Sequence, residues 1–138
     1  MTAVVLAIAP VYSHHSLSEY DATRRVTVNA VVREFHFVNP HPYLVVDGPS
    51  TGLGASRIGA ASRTWRLELD NRFELIEIGM TSRTFARGDQ LVVSGAPGHD
   101  EKPILYVREL DRADDGFRYE QVGNTPRIVR PPGPGRRR

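Results

Sequence analysis

Residues 26–42 read Val26-Thr27-Val28-Asn29-Ala30-Val31-Val32-Arg33-Glu34-Phe35-His36-Phe37-Val38-Asn39-Pro40-His41-Pro42, and the fold turns on this stretch. Val26, Val28, Ala30 and Val32 alternate with Thr27, Asn29, Val31 and Arg33. That is the period of a strand with one buried face. After Val32 the phase slips, because Phe35 and Phe37 fall on the opposite parity. A bulge or strong bend accounts for the slip, as in a strand that curls through a small barrel. Asn39-Pro40 stops the strand, since Pro40 lacks an N–H and restricts Asn39.

The chain on either side supplies the rest of the barrel. A second strand is expected at Tyr43–Asp47. Residues 48–63 are rich in Gly, Ser and Ala without periodicity and read as a long hairpin loop. The loop is no phosphate cradle, because no Gly-Lys-Ser/Thr closes it. Trp65, Leu67 and Leu69 alternate with Arg66 and Glu68, giving a third strand. Asp70 or Asn71 caps a short helix over Arg72–Ile78, with Phe73, Ile76 and Leu75 expected on its core face. Gly79 follows as the left-handed terminator. Arg87-Gly88-Asp89 turns into a fourth strand, Gln90–Ser94, ended by Gly95 and Pro97. A polar turn at Gly98–Lys102 leads to a fifth strand, Ile104–Leu110. Asp114-Asp115-Gly116 then turns into a short segment, Phe117–Tyr119. Three strands, one helix and two strands predict an all-β fold, a small OB-like five-stranded barrel with one short helix between strands 3 and 4.

Three parts are expected. Residues 1–13 read as a signal peptide, 14–120 as the barrel, and 121–138 as a Pro/Gly/Arg-rich tail, disordered or extended from Pro126 on. The apolar run Ala3–Tyr12 is too short to span a bilayer, which takes about 20 residues. It has the length of a signal h-region, although Met1-Thr2 carries no basic side chain. Val11 and Ser13 suit the positions before a cut that exposes His14. The alternative for this run is a buried N-terminal strand.

The charge is divided. The net charge is +2, but residues 1–120 carry −3 and residues 121–138 carry five Arg and no acid. An acidic body argues against a broad nucleic-acid surface, which needs clustered cations. With no Cys, the chain has no disulfide and no thiolate chemistry.

His14-His15-Ser16, Tyr20-Asp21, Asn39-Pro40-His41, Trp65, Gly79, Gly88-Asp89 and Val92-Val93 together resemble a family of small exported bacterial proteins, the domain of unknown function numbered 6152. The resemblance spans most of residues 14–119. It implies a signal peptide, a periplasmic or secreted location and a small β-barrel, and it implies no activity. The chain departs from that pattern at Phe35-His36-Phe37-Val38, where a Trp is usual ahead of Asn-Pro-His.

The candidate metal ligands are His14, His15 and His41, joined by the α-amino group of His14 if the cut falls after Ser13. A terminal amine and imidazoles suit copper, which favours tetragonal nitrogen sets. His99 and His36 are weaker candidates, and Glu19 and Asp21 could orient an imidazole. The histidines also admit a plain reading as solvated or turn residues. Hydrolytic motifs are missing, and Glu74 and Glu77 read as the solvated side of the helix, so no catalytic residue is assigned.

The leading expectation is a non-enzymatic periplasmic or secreted binding protein that takes copper. The alternative is an interaction subunit of a membrane-associated or periplasmic complex. It would use the barrel, the 48–63 loop, and Arg130, Arg136, Arg137 and Arg138 against a protein or membrane partner. Base stacking on Phe37, Tyr43, Trp65 and Tyr106 is the least favoured reading, and no nucleic-acid partner is expected.

Overall fold

The structure, a computed structural model, describes residues 17–49 and 62–133. The expected leader (1–13), His14, His15, most of the 48–63 loop and Arg136–Arg138 lie outside the described residues. Among the described residues seven strands and one α-helix follow in the order β1 (Val26–His36), β2 (Tyr43–Pro49), β3 (Ser62–Glu68), α1 (Arg72–Glu77), β4 (Gln90–Pro97), β5 (Ile104–Arg112), β6 (Phe117–Val122) and β7 (Thr125–Arg130).

The sheet order is β3-β2-β1-β4-β5-β6-β7, and β3 also pairs with β5 in parallel. That extra pairing closes β1–β5 into the expected five-stranded OB-like barrel. β5 is long enough to serve two neighbours along one edge. Its Ile104–Tyr106 end pairs with β3 and its Glu109–Arg112 end with β6. β6 and β7 extend the sheet past the barrel, so the sheet continues through the first part of the segment expected to be a tail. Gly123-Asn124 is a two-residue hairpin turn with Gly123 at φ 62°. The apolar positions Phe117, Tyr119 and Ile128 give this hairpin an inner face.

The phase slip in β1 is a bulge at Arg33. Val32 pairs with Val46 and Glu34 with Val45, so one residue is left over. Val26, Val28, Ala30 and Val32 are buried before it, and Phe35 and Phe37 pack on the same core after it. One extra residue restores the aromatic pair to the interior and bends the strand through the barrel wall.

The helix departs from expectation in its facing. Asn71 caps it, accepting the Glu74 N–H at 2.9 Å, and Gly79 ends it at φ 92°. Only Leu75 is buried within it; Phe73 is 70% exposed and Ile76 46%. Six residues make fewer than two turns, and one side chain fills the barrel end. Phe73→Ser therefore changes the unfolding free energy by less than about 0.5 kcal/mol in urea titration, as expected for an exposed site.

Candidate functional site

A cleft of about 800 Å³ opens at the barrel end where β1 finishes and β2 starts. Such a volume is in the range of small-molecule sites. One wall is the segment Ser18–Tyr20; opposite stand Val38–His41, and the floor draws on β3, β5, β6 and α1.

Of the three leading metal-ligand candidates of the sequence, His14, His15 and His41, the described residues include His41, and it lines this cleft. Its Nδ1 donates to the Leu69 carbonyl at 3.3 Å. A carbonyl only accepts, so Nδ1 carries the hydrogen and Nε2 of the neutral ring keeps its lone pair. Among the described residues Nε2 has no hydrogen-bond partner. Glu19 also lines the cleft, whereas Asp21 accepts from the Thr23 N–H and hydroxyl in a turn. His36 lies apart, stacked on Tyr43 at 4.6 Å with Nε2 2.6 Å from Glu34. His99 is exposed in a short turn after β4. Among the described residues no three His, Asp or Glu side chains converge closely enough to hold an ion.

The floor is acidic and cross-linked. Tyr20 donates to Glu68 at 2.8 Å. Burial and the Glu68 charge hold its phenol well above the ordinary range, so it stays a donor. Asp70 is 7% exposed. Its Oδ1 accepts from the Asn71 N–H at 2.6 Å and its Oδ2 from Gln121 Nε2 at 2.5 Å. Gln121 also donates to the Tyr106 hydroxyl at 3.1 Å and accepts from Tyr119 at 3.3 Å. Burial raises the Asp70 pKa; the Asn71 N–H opposes this, and the adjacent Glu74 carboxyl adds to the rise. Glu74 Oε2 is buried and receives no hydrogen bond. Glu19, Glu68, Asp70 and Glu74 thus face the cleft against Arg66 and His41.

Sequence reasoning missed the Asp70–Glu74 pair by assigning one to a cap and the other to solvent. Asp70 precedes the extended cap Asn71 and so lies outside the helix, where no helical spacing links it to Glu74. Gln121 had no local signal, because a long-range pairing brings it under Asp70.

The other candidates scatter. Arg130, on β7, is exposed and 3.3 Å from Asp111. The four aromatics considered as stacking platforms have occupied faces. Trp65 is 4% exposed and Tyr106 packs on Tyr20 at 5.7 Å. Tyr43 lies between His36 and Arg66, and Phe37 between Phe35 and Arg72.

No curated protein and no solved structure matches the chain. Residues 3–104, well over half of its length, match the sequence model of a family of unknown function. The match takes in β1–β4, α1 and the start of β5, and with them most of the cleft. The chain therefore belongs to the family of unknown function DUF6152.

Proposed function

We propose that this is a non-enzymatic binding protein of the periplasm or exterior that holds copper through His14, His15 and His41. The observation that carries the reading is the placement of His41 on the cleft with its Nδ1 against the Leu69 carbonyl. With Nδ1–H committed to a backbone carbonyl, Nε2 is the ring nitrogen left for a metal on a residue that lines the cleft, the arrangement used by metal-ligating imidazoles. Chain geometry also supports it. Ser18 lines the same cleft, and two residues separate it from His15, a reach of at most about 11 Å. The acidic floor favours a cation on electrostatic grounds.

The test is a Cu(II) titration of protein beginning at His14, followed by calorimetry. Binding is expected below about 1 μM, and His41→Ala should weaken it at least about tenfold. Unchanged affinity in His41→Ala, or no binding in that range, overturns the three-histidine site.

One observation favours the alternative of an interaction subunit. Phe73, Ile76 and Val38 are exposed apolar side chains on or beside the cleft end of the barrel. Co-purification of a partner that is lost in a Phe73→Ser, Ile76→Ser double variant would support that reading over copper.

A further inference from the structure

We infer, resting on the copper reading, that Tyr20 is the positioning residue of that site: it pins residues 17–20 beside the cleft and so holds His14 and His15 within reach of His41. Three observations carry this. First, Tyr20 is fixed from three directions. Its hydroxyl donates to Glu68 of β3 at 2.8 Å, its ring packs on Tyr106 of β5 with centroids 5.7 Å apart, and its backbone bridges Gly98 in antiparallel register. The next residue adds a bond from the Asp21 N–H to the Pro97 carbonyl at 2.8 Å. Second, this packing is separate from the barrel interior. Tyr20, Ala96 and Tyr106, with Ile104 against them, form a small cluster apart from the main core. A satellite cluster can open while the barrel stays closed. Third, the anchor stands on the cleft itself, since Tyr20, Glu68 and Tyr106 line it together with His41.

Chain length turns the anchor into affinity. His15 lies five positions before Tyr20 and eleven before Val26, where β1 begins. With Tyr20 pinned, the short tether joins His15 to the cleft wall. With Tyr20 and its neighbouring Asp21–Pro97 bond released, the next backbone anchor is β1, because the bonds of Asp21 to Thr23 and Arg24 lie within the segment itself. The effective concentration of a tethered group falls about as the −3/2 power of tether length, so that of His41 at the metal drops about threefold. Tyr20→Phe keeps the ring on Tyr106 and the backbone bridge, and with them the short tether.

The test pairs Cu(II) calorimetry on protein beginning at His14 with residue-resolved amide exchange on the full chain. Tyr20→Ala should weaken copper about threefold, and Tyr20→Phe should restore wild-type affinity. The Tyr20→Ala loss should vanish in a His41→Ala background, where no third ligand is left to position. Exchange protection at the Asp21 N–H should fall in Tyr20→Ala while protection in β1 holds. A Tyr20 that only stabilised the fold would lower protection in β1 as well and leave the copper affinity of the folded protein unchanged. The inference is overturned if Tyr20→Ala binds copper as tightly as wild type, if its loss persists undiminished in His41→Ala, or if Asp21 protection does not change. Copper affinity insensitive to His41 overturns the three-histidine site and the anchor's role with it. Affinity that depends on His41 and not on Tyr20 overturns the anchor alone, so the two failures are distinguishable.

Discussion

Replacing Arg112 with alanine is expected to lower the unfolding free energy by about 3–5 kcal/mol in urea titration, the cost of breaking a buried charge network by removing one partner. Arg112 has no exposed surface. Its Nη1 donates to the Thr84 carbonyl at 2.6 Å and to Asp89 at 3.1 Å. Its Nε and Nη2 grip both oxygens of Asp115, at 2.9 and 2.8 Å. The guanidinium lies over the rings of Phe117 and Phe85, at 4.9 and 5.4 Å. Alanine takes the charged donor from two carboxylates and a carbonyl and opens a void between the aromatics. Arg112→Met fills part of that void, so it should recover the packing share of the loss and none of the electrostatic share. The pH dependence has a definite sign. The Arg112 hydrogen bonds hold Asp115 down to about 2, below its ordinary carboxylate value. A depressed folded pKa contributes stability that is complete above the unfolded value and is lost as pH falls through the folded one. The gap between wild type and Arg112→Ala should therefore be constant from about pH 5 to 7 and narrow toward about pH 2. Equal stability of the two proteins at neutral pH would refute the network as a stabilising feature.

Local rules made most of the barrel legible. The parity slip at Arg33 announced the bulge, and Asn71 and Gly79 announced both ends of α1, because each effect acts over a few residues. Three features could not be read in this way. The closing β3–β5 pairing joins Arg66 to Ile104 across 38 residues, and nothing in either strand specifies the other. The burial of Leu75 instead of Phe73 depends on which side of a six-residue helix meets the barrel mouth, a tertiary choice that periodicity over so short a span does not fix. β7 was obscured by composition. Pro126 and the arginines suggest an open tail, yet Pro126 is buried and Arg127 pairs with Glu120 at 2.6 Å. The site followed the same division. The position of His41 after the first strand was legible, and that position puts it on the cleft. The Asp70–Gln121 link, 51 residues long, became visible only with the fold. The Gly88-Asp89 turn was noticed as a motif, and its physical reason is now plain. Gly88 takes φ 90°, while Asp89 accepts from the Ala86 N–H at 3.0 Å and from Arg112.

Gly95→Ala should couple fold and cleft in one substitution, with a loss of roughly 3 kcal/mol, the upper end of ordinary overpacking. Gly95 sits at the second bulge of the barrel. Ser94 pairs with Glu109 and Gly95 with Val107, so Arg108 is the extra residue. A Cβ at Gly95 would lie 2.0 Å from the Tyr106 carbonyl oxygen and 2.8 Å from its carbon. Both are backbone atoms, which no rotamer change can move aside. Relief requires β4 and β5 to separate where β5 also pairs with β3, at Ile104–Tyr106. The same displacement shifts Tyr106, whose ring packs on Tyr20 and whose hydroxyl takes the Gln121 hydrogen bond. Gly95→Ala should thus lower stability and also loosen the Tyr20–Tyr106–Gln121 contacts under the cleft in the fraction that remains folded. Arg112→Ala, at the far end of β5, should lower stability and leave those contacts intact. Amide exchange gives the local readout: protection at Arg66, whose N–H bonds Pro103 beside the β3–β5 closure, and at Gly98, whose N–H bonds Ile104 at the β4–β5 turn, should fall in Gly95→Ala before protection in β1 does. Uniform loss of protection across both regions would mean that the barrel opens as one unit and that Gly95 has no special place in its closure.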